Sequence, residues 1–206
     1  MSTAQYSDLK DASVYITGGG LGIGAALTEG FVAQGARVAF IGRSDASAFC
    51  AELETKYGNR PLFIQGDITD TAALKASMAQ AADAHGPITT LINNAANDKR
   101  HSAEEVTPEF WDWMIEVNLK AYFFACQTVL PQMRQAGFGS IINFSSISYM
   151  MGNSGYPIYT ACNSAINGLS RSLAREFGHE KIRVNALAPG WVLTQKQKDL
   201  WVTEER

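Results

Sequence analysis

Five glycines fall within seven residues of Val14-Tyr15-Ile16-Thr17-Gly18-Gly19-Gly20-Leu21-Gly22-Ile23-Gly24, directly after a short apolar run and directly before a helical pattern. A strand, a glycine turn and a helix N-terminus in that order receive a phosphate. Glycine lets backbone approach a ligand closely, and the first free N–H groups of the helix carry partial positive charge. The spacing is G-x-x-x-G-x-G over Gly18, Gly22 and Gly24 rather than the common G-x-G-x-x-G. A tight strand-to-helix turn without a ligand would use the same glycines. After the next apolar run, Gly42-Arg43-Ser44 offers a guanidinium and a hydroxyl, donors suited to phosphate. A solvated strand-end arginine fits there equally. Tyr159 and Asn163 are four residues apart, so on a helix they share a face. Asn118 lies among Val117, Leu119, Tyr122, Phe123 and Phe124. A buried amide there must find partners, either core groups or a bound water.

The elements that must position these residues follow from period and punctuation. Strands are expected over residues 12–17, 36–41, 61–65, 88–93, 140–144 and 182–187. Helices are expected over 22–34, from a cap at Asp45 to Tyr57, from a cap at Asp70 or Thr71 to His85, and over 156–177. Thr107-Pro108-Glu109 opens a long helix reaching about Ala136, which Pro131 should bend or break. After Pro189-Gly190 the tail is polar and helix-compatible. Strands separated by such helices imply right-handed crossovers and a parallel sheet covered on both faces. The expected fold is a doubly wound Rossmann-like α/β domain, with Ser146 where the fifth strand ends. Ligands in open α/β sheets bind outside the carboxyl ends of strands. The sixth strand would be left as a bare parallel edge. A tail, a partner subunit or a chain cut short would each account for it.

Composition narrows the function classes. At 206 residues, 46% hydrophobic and 18% charged, the chain suits one globular domain with a sizeable core. The formal net charge is -3 and the cations are scattered, so neither nucleic acid nor an anionic membrane surface is an expected partner. No apolar run approaches the roughly 18 residues of a membrane span. Cys50, Cys126 and Cys162 have no metal-like spacing and favour a reduced cytoplasmic compartment. His85, His101 and His179 lie far apart and read as surface or loop histidines, so no metal site is expected.

Over essentially its whole length the chain resembles the short-chain dehydrogenases/reductases. Thr17-Gly18-x-x-x-Gly22-Ile23-Gly24 matches that family's cofactor turn, where Leu21 also falls, and Asp67-Ile68 its adenine-contacting acid and neighbour. Asn93-Asn94-Ala95-Ala96 is similar to its Asn-Asn-Ala-Gly element, with alanine for glycine. Asn118 fits its helix asparagine, Ser145-Ser146 its serine, and Tyr159, 13 residues beyond Ser146, its tyrosine. Pro189-Gly190-Trp191-Val192-Leu193-Thr194 resembles its nicotinamide loop, which adds Pro189, Gly190, Val192 and Thr194 to the cofactor site. Within the family, residues 94–101 and 189–194 are similar to the aldose dehydrogenase branch, whose members oxidise the anomeric carbon of a free sugar to a lactone. Reduction of a keto group on an acyl substrate is the alternative activity. The resemblance implies substrate contacts at Asn97, Ser148, Tyr149 and Trp191. It also implies a homodimer or homotetramer built on the long helices. The apolar stretch 110–129 supports that, although an intramolecular core would look the same. The family's seventh strand is not in this chain, so 1–206 is expected to be one domain truncated at its C-terminus.

By resemblance, Tyr159 is the acid/base of a hydride transfer, Ser146 holds the reacting oxygen and Asn118 serves a proton relay. An acid ending the second strand would bind the 2′-hydroxyl of NAD. Gly42 stands there instead, beside Arg43 and Ser44, so NADP is expected, with NAD as second choice. The departure is Asn163, where the family has lysine. That lysine holds the nicotinamide ribose and stabilises the tyrosinate. A neutral amide leaves oxidation weak and rising with pH, or leaves an NADP-binding relic without turnover.

Overall fold

The computed structural model describes residues 4–201. Its elements run β1 (Ser13–Thr17), α1 (Gly22–Ala33), β2 (Arg37–Gly42), α2 (Ser47–Tyr57), β3 (Leu62–Gln65), α3 (Thr71–His85) and β4 (Thr90–Asn93). They continue with α4 (Pro108–Ile115), a π-helical turn (Glu116–Lys120), α5 (Ala121–Ala136), β5 (Gly139–Phe144) and α6 (Ser148–Met151). Last come α7 (Pro157–Phe177), β6 (Ile182–Leu187) and α8 (Gln195–Trp201). The strands form one sheet in the order β3-β2-β1-β4-β5-β6, parallel at every pairing. This is the doubly wound parallel sheet expected from the alternating pattern. Its order reverses direction between β1 and β4, where a crevice opens at the carboxyl ends.

The two-residue period of β1 divides the core. Tyr15 packs with Leu74 and Met78 of α3, Ala125 and Val129 of α5 and Leu173 of α7. Val14 and Ile16 point the other way, to Val32 of α1 and Cys50 and Leu53 of α2. Cover on the second face stops short of β6, where Arg183, Asn185 and Leu187 are exposed and only β5 is a partner among the described residues. The expectation of a sheet covered on both faces therefore holds for β1 to β5 and fails at β6. Most of the apolar stretch 110–129 is intramolecular core, Met114, Tyr122, Cys126 and Val129 included, while Trp111 and Phe123 remain exposed.

Local signals act as their chemistry requires. The Asp70 carboxylate accepts from the N–H groups of Ala72 and Ala73 and caps α3. Thr107 caps α4 through Phe110 N, with Pro108 at the first helical position. Asp45 acts one residue further out than expected. Its Oδ1 accepts from Ser47 N and Oγ, while Ala46 occupies the N-cap position. The long helix is interrupted at the π turn around Asn118 and not at Pro131, which α5 carries in its interior. Pro131 and Gln127, whose carbonyl loses its helical donor there, both lie on the exposed side of α5. Water can take the place of the missing N–H. No helix among the described residues is long and apolar enough to cross a membrane.

A buried polar layer ties the sheet to α7. Asn93 Nδ2 donates to Asn143 Oδ1 at 2.9 Å across the β4–β5 register, and Asn143 Nδ2 donates to Ser170 Oγ at 3.0 Å. These buried amide bonds hold α7 in one position, because sliding would break them.

Candidate active site

At the carboxyl ends of β1, β2, β4 and β5 lies a cavity of about 860 Å³. One end is made by the glycine turn. Gly18 and Gly22 have φ of +71° and +56°, the left-handed region that side chains disfavour. A Cβ on Gly24 would stand 1.9 Å from the Gly18 carbonyl oxygen, so α1 crosses the turn with no room for a side chain. The N-cap of α1, Leu21, makes no side-chain bond to the helix, which leaves its first N–H groups for a ligand. Asn94 locks the turn to β4. Its N–H donates to Thr17 Oγ1 at 3.0 Å, and its Nδ2 to the carbonyls of Thr17 and Gly18 at 3.1 and 3.2 Å.

Arg43 and Ser44 are exposed where β2 ends, and the Arg43 guanidinium forms no ion pair among the described residues. Asp67 Oδ1 accepts from Thr69 N and Oγ1, which shapes the loop after β3. With Ile68, Ala95 and Ala96 these residues continue the wall begun by Gly18, Leu21, Gly22, Ile23, Gly24 and Asn94. The wall also comprises Ser146, Ser148, Tyr159, Asn163, Asn97 and the loop of Pro189, Gly190, Trp191, Val192 and Thr194, the last of which approaches the glycine turn at Gly22.

Two residues read from the sequence are not on this wall. Tyr149, on α6, stands outside it. Asn118 is buried behind it: its Oδ1 accepts from Asn97 N at 2.8 Å and its Nδ2 donates to Met114 O at 3.0 Å. The side-chain amide thus bonds back to the carbonyl one turn earlier, just before the π turn. Both of its partners are thus protein groups.

Burial pushes the Tyr159 phenol above its ordinary value. Hydrogen bonding with Ser146 and Asn163 pulls it down, and the charge of Asp98 adds to the rise. Asn163 Nδ2 also donates to the Tyr159 carbonyl at 2.8 Å, so at most one amide hydrogen remains for the phenol. Ser145 Oγ, next to Ser146, donates to Asn163 O at 2.8 Å and joins the end of β5 to α7.

Several wall residues had no cue in spacing. Burial alone would raise the Asp98 carboxyl, but Lys196 at 2.5 Å and Gln197 at 3.3 Å hold it below the usual carboxylate range. Lys196 and Gln197 come from α8, almost a hundred residues away, and no local pattern links them to Asp98. Arg100 and Tyr156 also line the wall, with the guanidinium 3.9 Å from the ring centroid. The hydroxyls of Tyr122 and Ser148 are buried at the wall and lack a partner among the described residues.

The arrangement joins an anion-receiving turn to a hydroxyl, a phenol and several amides in one cavity, as transfer of a hydride and a proton at a carbon–oxygen bond requires. The short chain dehydrogenase family model matches residues 12–205. A Rhizobium meliloti protein named as a probable galactose dehydrogenase is 44% identical over 207 residues, spanning all of this chain and 81% of its own. A D-xylose 1-dehydrogenase of Caulobacter vibrioides is 41% identical with the same coverage. Among solved structures, the L-sorbose reductase of Gluconobacter frateurii, complexed with NADPH and L-sorbose, superposes with a TM-score of 0.88. It is 28% identical, over 92% of this chain and 73% of that one. Fold, cavity and these likenesses agree: the chain belongs to the short-chain dehydrogenase family and is an NAD(P)-dependent oxidoreductase.

Proposed function

We propose that the chain, as a single dinucleotide-binding and catalytic domain, is an NADP-preferring dehydrogenase of free sugars whose oxidation is slowed by Asn163. The observation that carries this reading is the polarity of the cavity beside Tyr159. Ser146, Ser148, Asn97 and the Asp98 carboxylate face the same space, and a polyol offers a hydroxyl to each. The sugar substrates in the names of the relatives point the same way.

The residues present fit a dinucleotide. The Gly18–Gly24 cradle admits a diphosphate because no Cβ intrudes, and the free N–H groups of α1 favour its charge. Arg43 and Ser44 would hold a 2′-phosphate, Asp67 and Ile68 the adenine, Asn94 to Ala96 the central ribose region, and Pro189, Gly190, Val192 and Thr194 the nicotinamide. Bound NADP would supply the acceptor for the hydride of the anomeric carbon. Tyr159 Oη takes the proton of the anomeric hydroxyl as the carbonyl of the lactone forms. Ser146 Oγ holds that oxygen, and Trp191 and Asn97 border the sugar. Asn118 keeps Asn97 in place through its bond to the Asn97 N–H.

The test is turnover of an aldose panel with NADP and NAD at neutral and high pH. Aldose oxidation with the higher kcat/KM for NADP is the expected result. Preference for NAD, or activity confined to keto-acyl substrates, refutes it. Arg43→Ala should lower kcat/KM for NADP by about 10- to 100-fold, the loss typical of a hydrogen bond to a charged group, and leave NAD within about threefold. Equal effects on both nucleotides would remove Arg43 from cofactor choice. Asn163 favours a second reading, an NADP-binding protein without turnover, which binding without product in the same panel would support. Exposed Trp111 and Phe123 support assembly into a homo-oligomer, checked by solution mass.

A further inference from the structure

Residues 97–101 brace the π turn against the start of α7. At one end Asn97 N donates to Asn118 Oδ1. At the other, His101 N donates to Gly155 O at 2.9 Å, and His101 Nε2 accepts from Ile158 N at 3.3 Å. The second ring nitrogen, Nδ1, lies 2.9 Å from Lys99 O. A carbonyl only accepts, so Nδ1 carries the ring hydrogen and Nε2 keeps the lone pair that the Ile158 N–H needs. The ring meets Phe110 of α4 edge-on, with centroids 5.0 Å apart, which fixes its plane.

Helix α7 requires such a partner. Its first N–H groups have no carbonyl one turn back, its N-cap residue Tyr156 makes no side-chain bond, and Pro157 has no N–H. Ile158 is the next donor, and it immediately precedes Tyr159. Arg100 acts on the same turn. It stacks on Tyr156, whose ring meets that of Tyr159 edge-on at 5.8 Å.

We propose that His101 is a positioning residue: it caps α7 from a segment 57 residues away, as the Nδ1–H tautomer, and thereby holds Tyr159 against Ser146. The inference rests on the reading of Tyr159 as the proton-transfer group. Two polar replacements separate the cap from the rest of the ring. Asparagine reaches about as far as Nδ1 and can still donate to Lys99 O. Glutamine presents an acceptor near the position of Nε2.

Amide hydrogen exchange at Ile158 and steady-state sugar oxidation, both on the full chain, test it. In His101→Asn, Ile158 should exchange about tenfold faster, the scale of a lost N-cap. Its kcat should fall about tenfold with KM within about twofold, since a misplaced acid/base changes rate more than binding. His101→Gln should recover both to within about threefold. Unchanged exchange in His101→Asn overturns the proposal, and so does a His101→Gln variant as impaired as His101→Asn. Faster exchange with unchanged kcat overturns it too, since the cap would then not govern Tyr159. Should the unaltered chain show no turnover, the activity reading fails by itself and exchange alone decides the cap.

Discussion

Asn163→Lys is expected to raise kcat for sugar oxidation at pH 8 by about two orders of magnitude and to flatten the pH profile. The base in oxidation is the Tyr159 phenolate. With an ordinary pKa near 10, about one phenol in a thousand is ionised at neutral pH, and each further unit of pKa costs another tenfold. Burial here moves the phenol above that value, so the ionised fraction is smaller still. A lysine cation about 4 Å away, at the effective dielectric of a partly open site, would stabilise the phenolate by about 4 kcal/mol, or some three pKa units. Asn163 brings no charge and already donates to the Tyr159 carbonyl. It lines the cavity, so a longer side chain has space to extend. The sign is fixed by the raised pKa. In the unaltered chain log kcat for oxidation should climb by about one per pH unit and still be rising at pH 10. Reduction, which uses the neutral phenol, should be nearly flat over neutral pH. In Asn163→Lys the oxidation profile should level off about two to three units lower, as that phenolate stabilisation requires. Full activity at pH 7 with a flat profile in the unaltered chain would rule this account out.

The fold was legible wherever a signal was local. Glycine stops, the Asp70 and Thr107 caps and the apolar runs set the order of strands and helices, because each acts on its own few residues. What misled was competition between signals. Pro131 is the strongest helix breaker in the interior of residues 107–136, yet its missing N–H falls on the exposed side of α5, where water can compensate. Asn118 is a weak breaker by propensity, but its amide takes the Met114 carbonyl and meets Asn97, so the interruption settles there. The same division runs through the site. Gly18 to Gly24 belong to a pattern that spacing exposes, and Asn94, Ser146 and Tyr159 stand out through the family resemblance. Asp98 with Lys196, and His101 with Ile158, are contacts between distant segments. His101 in particular reads as a loop histidine until α7 is placed beside it.

Gly24→Ala tests the glycine turn where the backbone is least forgiving. The added methyl would stand 1.9 Å from Gly18 O and 2.7 Å from Asn94 Nδ2, well inside contact distance. Backbone cannot give way as a side chain tip does, so either α1 shifts off the turn or the Asn94 bonds to Thr17 and Gly18 break. Both movements displace the N–H groups that would receive the diphosphate. The expected result is at least a hundredfold weaker NADP binding, together with destabilisation of about 1–3 kcal/mol, the usual range for overpacking. Gly30 is the control on the same helix. A Cβ there meets nothing within 4 Å, and Gly30→Ala should stabilise the chain by about 0.4–1 kcal/mol through helix propensity and a less free unfolded state. Its NADP affinity should not change. Urea unfolding and fluorescence titration of the two variants read both quantities. If Gly24→Ala binds NADP as the unaltered chain does, the diphosphate does not sit on this turn, and the dinucleotide must enter the cavity by another route.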